Sequence, residues 1–258
     1  MILILILTNI EYGCSNTIFC WVVPVGFGAQ QIPLGLFRDV CIRAVGDPSF
    51  RTGSHHCLVS RGLWVNDTVV TDFGNHLQKW NPNVVSIGCC LAFQEPIRLH
   101  MFHCVDFSKP LVLFPLVEDH HWTVLRVCMN LEYDFRVTLF DGYGQVPRAF
   151  MRIESTLRGY FELCATDARS RRASRTKWDA AQWQSCRDKA RFRPSHAAIP
   201  LQEDAVTCGY RAMHYMEWLI LCRESWSLES FCHDNDPKYW ELYRLWVLYS
   251  LFLARNEV

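Results

Sequence analysis

The sequence lacks an excess of either charge, since 26 Lys and Arg residues balance 26 Asp and Glu residues among 258. A generally basic nucleic-acid-binding protein or a polybasic membrane-surface protein is therefore disfavoured, although local patches are compatible with a neutral total. Half of the residues are apolar and 14% are aromatic. This composition is typical of a globular protein with a sizeable core, and it argues against intrinsic disorder.

The 13 cysteines include no Cys-x-x-Cys pair. An odd number without that spacing fits neither a complete disulfide framework nor a zinc ribbon. We therefore expect mostly buried thiols and an intracellular protein, in the nucleus or the cytoplasm. His100, His103 and Cys104 do not predict a metal site, because the two histidines would point to opposite faces of a strand. We expect no metal and no cofactor.

Membrane-spanning segments and a clear secretory signal are also missing. The apolar run Met1–Leu7 is short, and the first basic residue of the chain is Arg38. A secretory signal has a positive segment before a longer apolar stretch, so a β-strand or the start of a truncated gene fits the run at least as well. The segment 239–253 is shorter than a membrane span and predicts an amphipathic or buried helix. We expect a soluble protein with no membrane partner.

The apolar spacing of the rest predicts an α+β fold. Helical periodicity covers 62–77, 149–163 and 209–222, and Asn66 or Asp67 would lie in the first turn of the first of these helices. Four segments rich in Val, Leu, Phe and Thr predict strands, over 98–105, 111–117, 122–127 and 135–140.

A basic segment interrupts this pattern. Nine Arg and Lys residues lie between Arg169 and Arg193, with few large aliphatic residues around them. The segment 165–196 predicts a solvated loop or a partly helical insertion. Contact with nucleic acid or an acidic partner is the alternative, since most charged runs are simply exposed faces.

Cys208 is the cysteine with the most distinctive context, because it stands directly before a predicted helix. Asp204 and Thr207 are available to cap that helix. A thiol at this position meets the positive end of the helix dipole and unpaired backbone N–H groups, which favour the nucleophilic thiolate. A small buried hydrophobic residue is nevertheless the more common role of a cysteine.

A nucleophilic cysteine needs a base, and that base needs an orienting group. His120 and His121 introduce one predicted strand, and Asp141 ends the next. Antiparallel strands joined by a short turn bring such residues side by side, although a surface histidine and a turn aspartate are common as well. Gln202 lies six residues before Cys208, and its amide is a candidate donor to an oxyanion, although by itself it is an ordinary loop glutamine.

Taken together, these segments resemble the ubiquitin-like-specific cysteine proteases, which release SUMO-type modifiers and share a papain-like fold with the adenovirus processing protease. The matching stretches are Trp64-Val65-Asn66-Asp67, Leu111-Val112-Leu113-Phe114-Pro115 with His121-Trp122, Thr138-Leu139-Phe140-Asp141, and Pro200-Leu201-Gln202 with Cys208-Gly209. The resemblance implies a mixed central sheet packed against the helix that carries the nucleophilic Cys208.

The resemblance also implies roles. Cys208 attacks the scissile carbonyl, His121 acts as base and then as acid, and Asp141 holds the histidine tautomer. Gln202 and the Cys208 N–H stabilise the oxyanion. His120 competes with His121 for the role of base, and the match to the family's His-Trp pair favours His121.

Substrate binding follows from the same resemblance. Trp64 would line a narrow tunnel for a Gly-Gly tail, with Trp122 beside the histidine. Flat aromatic rings packed over an extended Gly-Gly segment exclude residues that bear a side chain. Three residues depart from the family pattern: Asp204 stands where Asn is usual, Thr207 where Asp is usual and Gly142 where Ser is frequent.

The resemblance covers about Cys57 to Cys222, so three segments are predicted. They are an unmatched segment over 1–54, a catalytic domain over 55–222 that includes the basic insertion, and a helical extension over 223–258. The favoured function is an isopeptidase or endopeptidase that cuts after the Gly-Gly of a SUMO-like or other ubiquitin-like modifier. A viral or mobile-element processing protease of the same fold, and a catalytically silent modifier-binding module, are the alternatives.

Overall fold

The computed structural model describes residues 34–60, 63–94, 96–130, 132–144, 146–222 and 237–256. The apolar run Met1–Leu7 and the Gly-Phe-Gly segment at 26–28 lie outside these residues. The helices are α1 (Leu34–Gly46), α2 (Pro48–Arg51), α3 (His56–Val59), α4 (Asp67–Trp80), α5 (Arg148–Met151), α6 (Ile153–Thr166), α7 (Ala168–Ala173), α8 (Ala180–Lys189), α9 (Cys208–Cys222) and α10 (Pro237–Asn256). The strands are β1 (Val85–Ile87), β2 (Leu111–Glu118), β3 (His121–Met129), β4 (Asp134–Phe140) and β5 (Arg191–His196).

The strands form one mixed sheet in the order β1-β2-β3-β4-β5. β3 is antiparallel to both of its neighbours, β2 and β4, whereas β1 runs parallel to β2 and β5 runs parallel to β4. This confirms the predicted α+β class and the mixed central sheet. Since neighbouring side chains of a strand point to opposite faces, the sheet separates two hydrophobic cores.

The first core lies between the sheet and α9. Val124 and Phe140 contribute from the sheet, and Met213 and Met216 contribute from α9. The second core lies on the opposite face, where α6 buries Leu157 and other apolar residues. α9 therefore packs on β3, as the sequence predicts for the helix that begins at Cys208.

The predicted helix start near Asn66 is confirmed. Asn66 is the N-cap of α4, and its side-chain oxygen accepts a hydrogen bond from the N–H of Val69 at 3.0 Å. A side chain that caps the first turn satisfies a donor that would otherwise lack a partner.

The strand predicted over 98–105 is wrong, because Leu99–Cys104 form a 3₁₀ helix. Phe102 is buried there against Phe93 and Phe114, at ring-centroid distances of 5.1 and 5.7 Å. Residues three apart lie on the same side of a 3₁₀ helix. The expectation that His100 and His103 point in opposite directions is therefore wrong. Among the described residues, no group of three or more His, Cys, Asp or Glu side chains is arranged to hold a metal ion.

The basic segment 165–196 is partly helical, as predicted, but it is more than a solvated loop. Trp183 and Cys186 of α8 are fully buried in the second core. β5 joins the sheet beside β4, and Arg193 contacts Asp134 at 2.9 Å. The alternating basic residues concealed this strand, since its own side chains are mostly exposed.

The helices on either side of the matched region belong to the first core as well. Phe37 of α1 packs against Tyr249 of α10, with ring centroids 5.1 Å apart. Val40 and Leu248 are buried in the same core as Cys208. The core thus joins the segments that the sequence divides at residues 55 and 222. None of the helices in the described ranges is long and apolar enough to span a bilayer.

The burial of Trp183 predicts that the basic segment contributes to stability. Trp183→Ala should lower the free energy of unfolding by about 3–5 kcal/mol, because it leaves a large cavity beside Tyr160, Phe161 and Trp178. Urea unfolding measures the effect. Trp80→Ala is the matched control, since Trp80 is 45% exposed. A loss below about 1 kcal/mol for Trp183→Ala would show that the segment folds independently of the core.

Candidate active site

A two-residue turn joins β2 to β3 and brings two histidines to one end of the sheet. Glu118 pairs with His121, and both intervening residues are left-handed, with φ of 49° at Asp119 and 63° at His120. This conformation matches the twist of a tight hairpin, and Asp and His tolerate it better than most residues. It directs the His120 carbonyl toward Cys208, whose thiol lies 4.0 Å from the carbonyl oxygen.

His121 lies against Asp141. Val124 pairs with Phe140, so the residue after β4 lies at the same end of the sheet as the start of β3. The distance from His121 Nε2 to Asp141 Oδ1 is 2.6 Å. The Asp141 carboxylate is buried, and its Oδ1 also accepts the N–H of Tyr143 at 2.9 Å. The structure therefore places the predicted histidine and aspartate in direct contact.

The contact with Asp141 determines which nitrogen of His121 is available for chemistry. Nε2 is bonded to the carboxylate, so Nδ1 is the nitrogen left for Cys208 and a substrate. In the part of the chain that the structure describes, Nδ1 is buried and has no aligned hydrogen-bond partner. A thiol–imidazole pair needs such a nitrogen for proton transfer.

The charges around His121 favour its protonated form. Burial lowers the pKa of His121, but its interactions with Asp141 and then Cys208 outweigh burial and raise the pKa to about 9. His121 is therefore an imidazolium at neutral pH. A cation at this position stabilises a neighbouring thiolate.

Cys208 is the first residue of α9 and is 2% exposed. The following residue has to be glycine, because a Cβ at Gly209 would lie 2.6 Å from the Cβ of Val65. Trp122 holds Val65 in place by donating its indole N–H to the Val65 carbonyl at 3.0 Å. The Cys-Gly pair therefore reflects close packing of the segment at Val65 on the first turn of α9.

The loop before Cys208 is organised by Asp204. Its carboxylate accepts the N–H groups of Val206 and Thr207 and the hydroxyl of Thr207, at 2.8, 2.6 and 2.6 Å. Burial raises the pKa of Asp204, but these hydrogen bonds and the charge of Arg211 outweigh it and lower the pKa. Asp204 thus ties the turn before α9, and the Thr207 carbonyl accepts the N–H of Arg211 in the first turn.

Gln202 is buried beside the site, next to Gly142. Its backbone N–H donates to the Gly142 carbonyl at 2.6 Å, and a Cβ at Gly142 would lie 3.1 Å from the Gln202 Cβ. The side-chain Nε2 donates to the Asp204 carbonyl at 2.6 Å. Within the described residues Gln202 makes no hydrogen bond to Cys208 or His121, so its oxyanion role stays a prediction.

The two predicted substrate-binding tryptophans have different surroundings. Trp64 is 46% exposed and meets the imidazole of His120 edge to face, with ring centroids 5.8 Å apart. Trp122 is 5% exposed and its indole N–H is bonded to Val65. Trp64 is therefore accessible to a ligand, whereas Trp122 supports the segment that carries Trp64. A direct contact of Trp122 with substrate stays a prediction.

The imidazoles of the neighbouring histidines point to different partners. His120 packs on Trp64 and offers its carbonyl to the thiol, while His121 bonds Asp141. Of the two, His121 therefore has the orienting carboxylate, and its role as the base stays a prediction. Sequence reasoning missed Tyr143, which stacks on His121 with ring centroids 4.3 Å apart and an interplanar angle of 24°. Its only sequence signal is its place in the turn after Asp141.

No family model and no curated protein matches the sequence. Solved structures do match. A structure of the SUMO protease Ulp1 with its catalytic cysteine oxidised to a sulfinic acid covers 90% of this chain and 98% of its own, at 12% identity and a TM-score of 0.57. The C-terminal Ulp1 protease domain in complex with Smt3, the yeast orthologue of SUMO, covers 85% and 95%, at 13% identity and a TM-score of 0.54.

A third structure, described as a de-sumoylating protease, covers 78% of this chain and 85% of its own, at 14% identity and a TM-score of 0.52. The sequence identity is low in each comparison, whereas the alignments extend over most of both chains. The likeness therefore concerns the fold, and this chain has the papain-like fold of the Ulp1-type SUMO proteases.

Proposed function

We propose that the protein is a thiol protease that cleaves after the Gly-Gly of a SUMO-like or other ubiquitin-like modifier, as an isopeptidase or an endopeptidase. The observation that carries the proposal is the 2.6 Å contact between His121 and Asp141 at the turn that meets Cys208. A nucleophile, a proton carrier and an orienting carboxylate thus converge at one end of the sheet. A silent binding module would not require this arrangement.

In the first half of the reaction, the Cys208 sulfur attacks the scissile carbonyl carbon. The C–N bond of the tetrahedral intermediate then breaks as the His121 Nδ1 proton passes to the leaving amine, and a thioester forms on Cys208. In the second half, water adds to the thioester while His121 accepts its proton. The thioester breaks, the carboxylate product leaves and the thiolate–imidazolium pair returns.

Two groups support the developing oxyanion in this proposal. The Cys208 N–H lies at the start of α9, where the first backbone donors of a helix have no partner within the helix. Gln202 is the second donor, and it has to turn one N–H from the Asp204 carbonyl toward the substrate.

The proposed partner is the C-terminal tail of a ubiquitin-like modifier. The Ulp1 domain in complex with Smt3 supports this class of partner. The exposed Trp64 offers a flat aromatic surface next to the histidines, which suits an extended chain without side chains.

The nucleophile is tested with a ubiquitin-like modifier that carries an electrophile after its Gly-Gly. Such a probe should form a covalent adduct with the wild-type protein, and Cys208→Ala should abolish it because the thioether is made by that sulfur. Intact mass spectrometry detects the adduct. Cys104→Ala is the matched control, since Cys104 is an exposed free cysteine and should leave labelling unchanged. An adduct that persists in Cys208→Ala would refute the proposed nucleophile.

The two histidines are separated by paired substitutions. His121→Gln should lower kcat/KM by roughly 10²–10⁴, the usual contribution of a general acid–base group. His120→Asn should change it less than about fivefold, because Asn tolerates the left-handed backbone and keeps the carbonyl that faces Cys208. Steady-state cleavage of a modifier fusion measures both. A reversed order of effects would make His120 the base.

The charge state of His121 is tested by titration. Its pKa is about 9 in the folded protein against 6.5 ordinarily, and Asp141→Asn should lower it. Since the pKa is raised on folding, the stabilisation is fully present below pH 6.5 and is lost as the pH rises through about 9. NMR of the imidazole C–H signals gives the pKa, and urea unfolding gives the stability. Equal pKa values in both proteins would contradict the pairing with Asp141.

A further inference from the structure

Tyr143 contacts both His121 and the loop before Cys208, yet the proposed mechanism gives it no role. It lies two residues after Asp141 in the turn that follows β4, and its side chain is half-buried. Its backbone N–H donates to Asp141 Oδ1 at 2.9 Å, the oxygen that also holds His121. The same residue therefore orients the carboxylate through its backbone and contacts the imidazole through its ring.

The Tyr143 ring lies on the face of the His121 ring. The centroids are 4.3 Å apart and the planes differ by 24°. The hydrogen bond from Nε2 to Asp141 still allows the imidazole ring to rotate about that bond. The Tyr143 ring against one face of the imidazole restricts this rotation. An aromatic face also attracts a cation within about 6 Å, so the stack favours the imidazolium.

The Tyr143 hydroxyl anchors the ring at its far end. It donates to the Asp204 carbonyl at 2.8 Å, across 61 residues of sequence. Asp204 in turn holds Thr207, the residue before Cys208. Tyr143 therefore connects the turn that carries Asp141 with the loop that leads into the nucleophile.

The electrostatic surroundings keep this anchor in place. Burial, followed by the negative charges at Cys208 and Asp204, raises the pKa of Tyr143. The phenol therefore keeps its proton and remains a hydrogen-bond donor to Asp204.

We propose that Tyr143 is a positioning residue, which holds the His121 ring between Asp141 and Cys208 and couples that ring to the loop of the nucleophile. The inference rests on the proposed function for its catalytic meaning. The orientation of the His121 ring by Tyr143 is supported by the stack and the two hydrogen bonds, and it does not depend on the proposed function.

Two variants separate the ring from its hydroxyl anchor. Tyr143→Phe keeps the stack on His121 and loses the hydroxyl, while Tyr143→Gln loses both the stack and the hydroxyl, because its amide is too short to reach the Asp204 carbonyl. Tyr133→Phe is the matched control, because Tyr133 precedes β4 and packs on Trp178 away from the site. All variants are made in the full chain.

Three measurements are needed. NMR gives the pKa of His121, and the pH profile of Cys208 alkylation by iodoacetamide, followed by mass spectrometry, reports on the thiol without any substrate. The rate of labelling by the modifier probe reports on the proposed reaction. Tyr143→Gln should move the His121 pKa from about 9 toward 6.5, shift the alkylation profile and slow probe labelling at least about tenfold.

Tyr143→Phe should leave the His121 pKa near its wild-type value and slow labelling only about two- to fivefold. Tyr133→Phe should match the wild type in every measurement. The proposal is overturned if Tyr143→Gln keeps both the wild-type His121 pKa and the wild-type alkylation profile. Tyr143→Leu carries the same expectation if the Gln variant does not fold.

The outcomes also separate this inference from the proposed function. If no modifier probe labels the wild-type protein, the proposed protease activity fails. The His121 titration and the Cys208 alkylation profile still decide on Tyr143 in that case. If the probe labels the wild type and Tyr143→Gln at equal rates, the catalytic part of the inference fails and the proposed function stands.

Discussion

The contact between the first turn of α9 and the β2–β3 turn is the interaction on which the rest of the site depends. It joins Cys208 to the His120 carbonyl across 88 residues of sequence. The same turn of α9 also packs against Val65, so closely that residue 209 has to be glycine, because Val65 occupies the space that a Cβ would need. The apolar face of α9, with Met213 and Met216, supplies the burial that presses the helix onto β3. A substitution that forces these two surfaces apart therefore also moves the Cys208 thiol away from His121.

The loop before Cys208 differs from the family pattern at residues 204 and 207, and hydrogen bonds between these two residues organise it. The resemblance leads one to expect Asn at 204 and Asp at 207, and the chain has Asp204 and Thr207 instead. The carboxylate has moved to the earlier position, where it accepts the Thr207 hydroxyl and N–H. Arg211 faces this pair and donates its Nε–H to the Thr207 hydroxyl oxygen at 3.2 Å. Asp204 and Thr207, the two residues that depart from the family pattern, are therefore hydrogen-bonded to each other in this loop.

Local patterns predicted the elements that have strong periodicity. The strands that carry His121 and Asp141 and the helix that begins at Cys208 were predicted with small errors in their bounds, because apolar alternation and helical spacing reflect the face that each element buries. The 3₁₀ helix at 99–104 was not, since burial of Phe102 between Phe93 and Phe114 depends on residues distant in sequence. β5 was missed for the same reason: its exposed basic side chains conceal a strand that is held by backbone hydrogen bonds to β4.

Residue types and their spacing along the chain are sufficient to predict the chemical groups of the site, namely the thiol before a helix, the histidines at the start of a strand and the carboxylate at the end of the next strand. The packing of separate elements paired Nε2 of His121 with Asp141, placed the His120 ring on Trp64 and laid Tyr143 on the His121 imidazole. It also gave Trp122 a hydrogen bond to the Val65 carbonyl that the sequence does not indicate. The physical reason is that residue type and local spacing specify what a side chain is able to do, whereas the 2.6 Å contact between His121 and Asp141 and the stack of Tyr143 on His121 arise from the packing of residues that are distant in sequence.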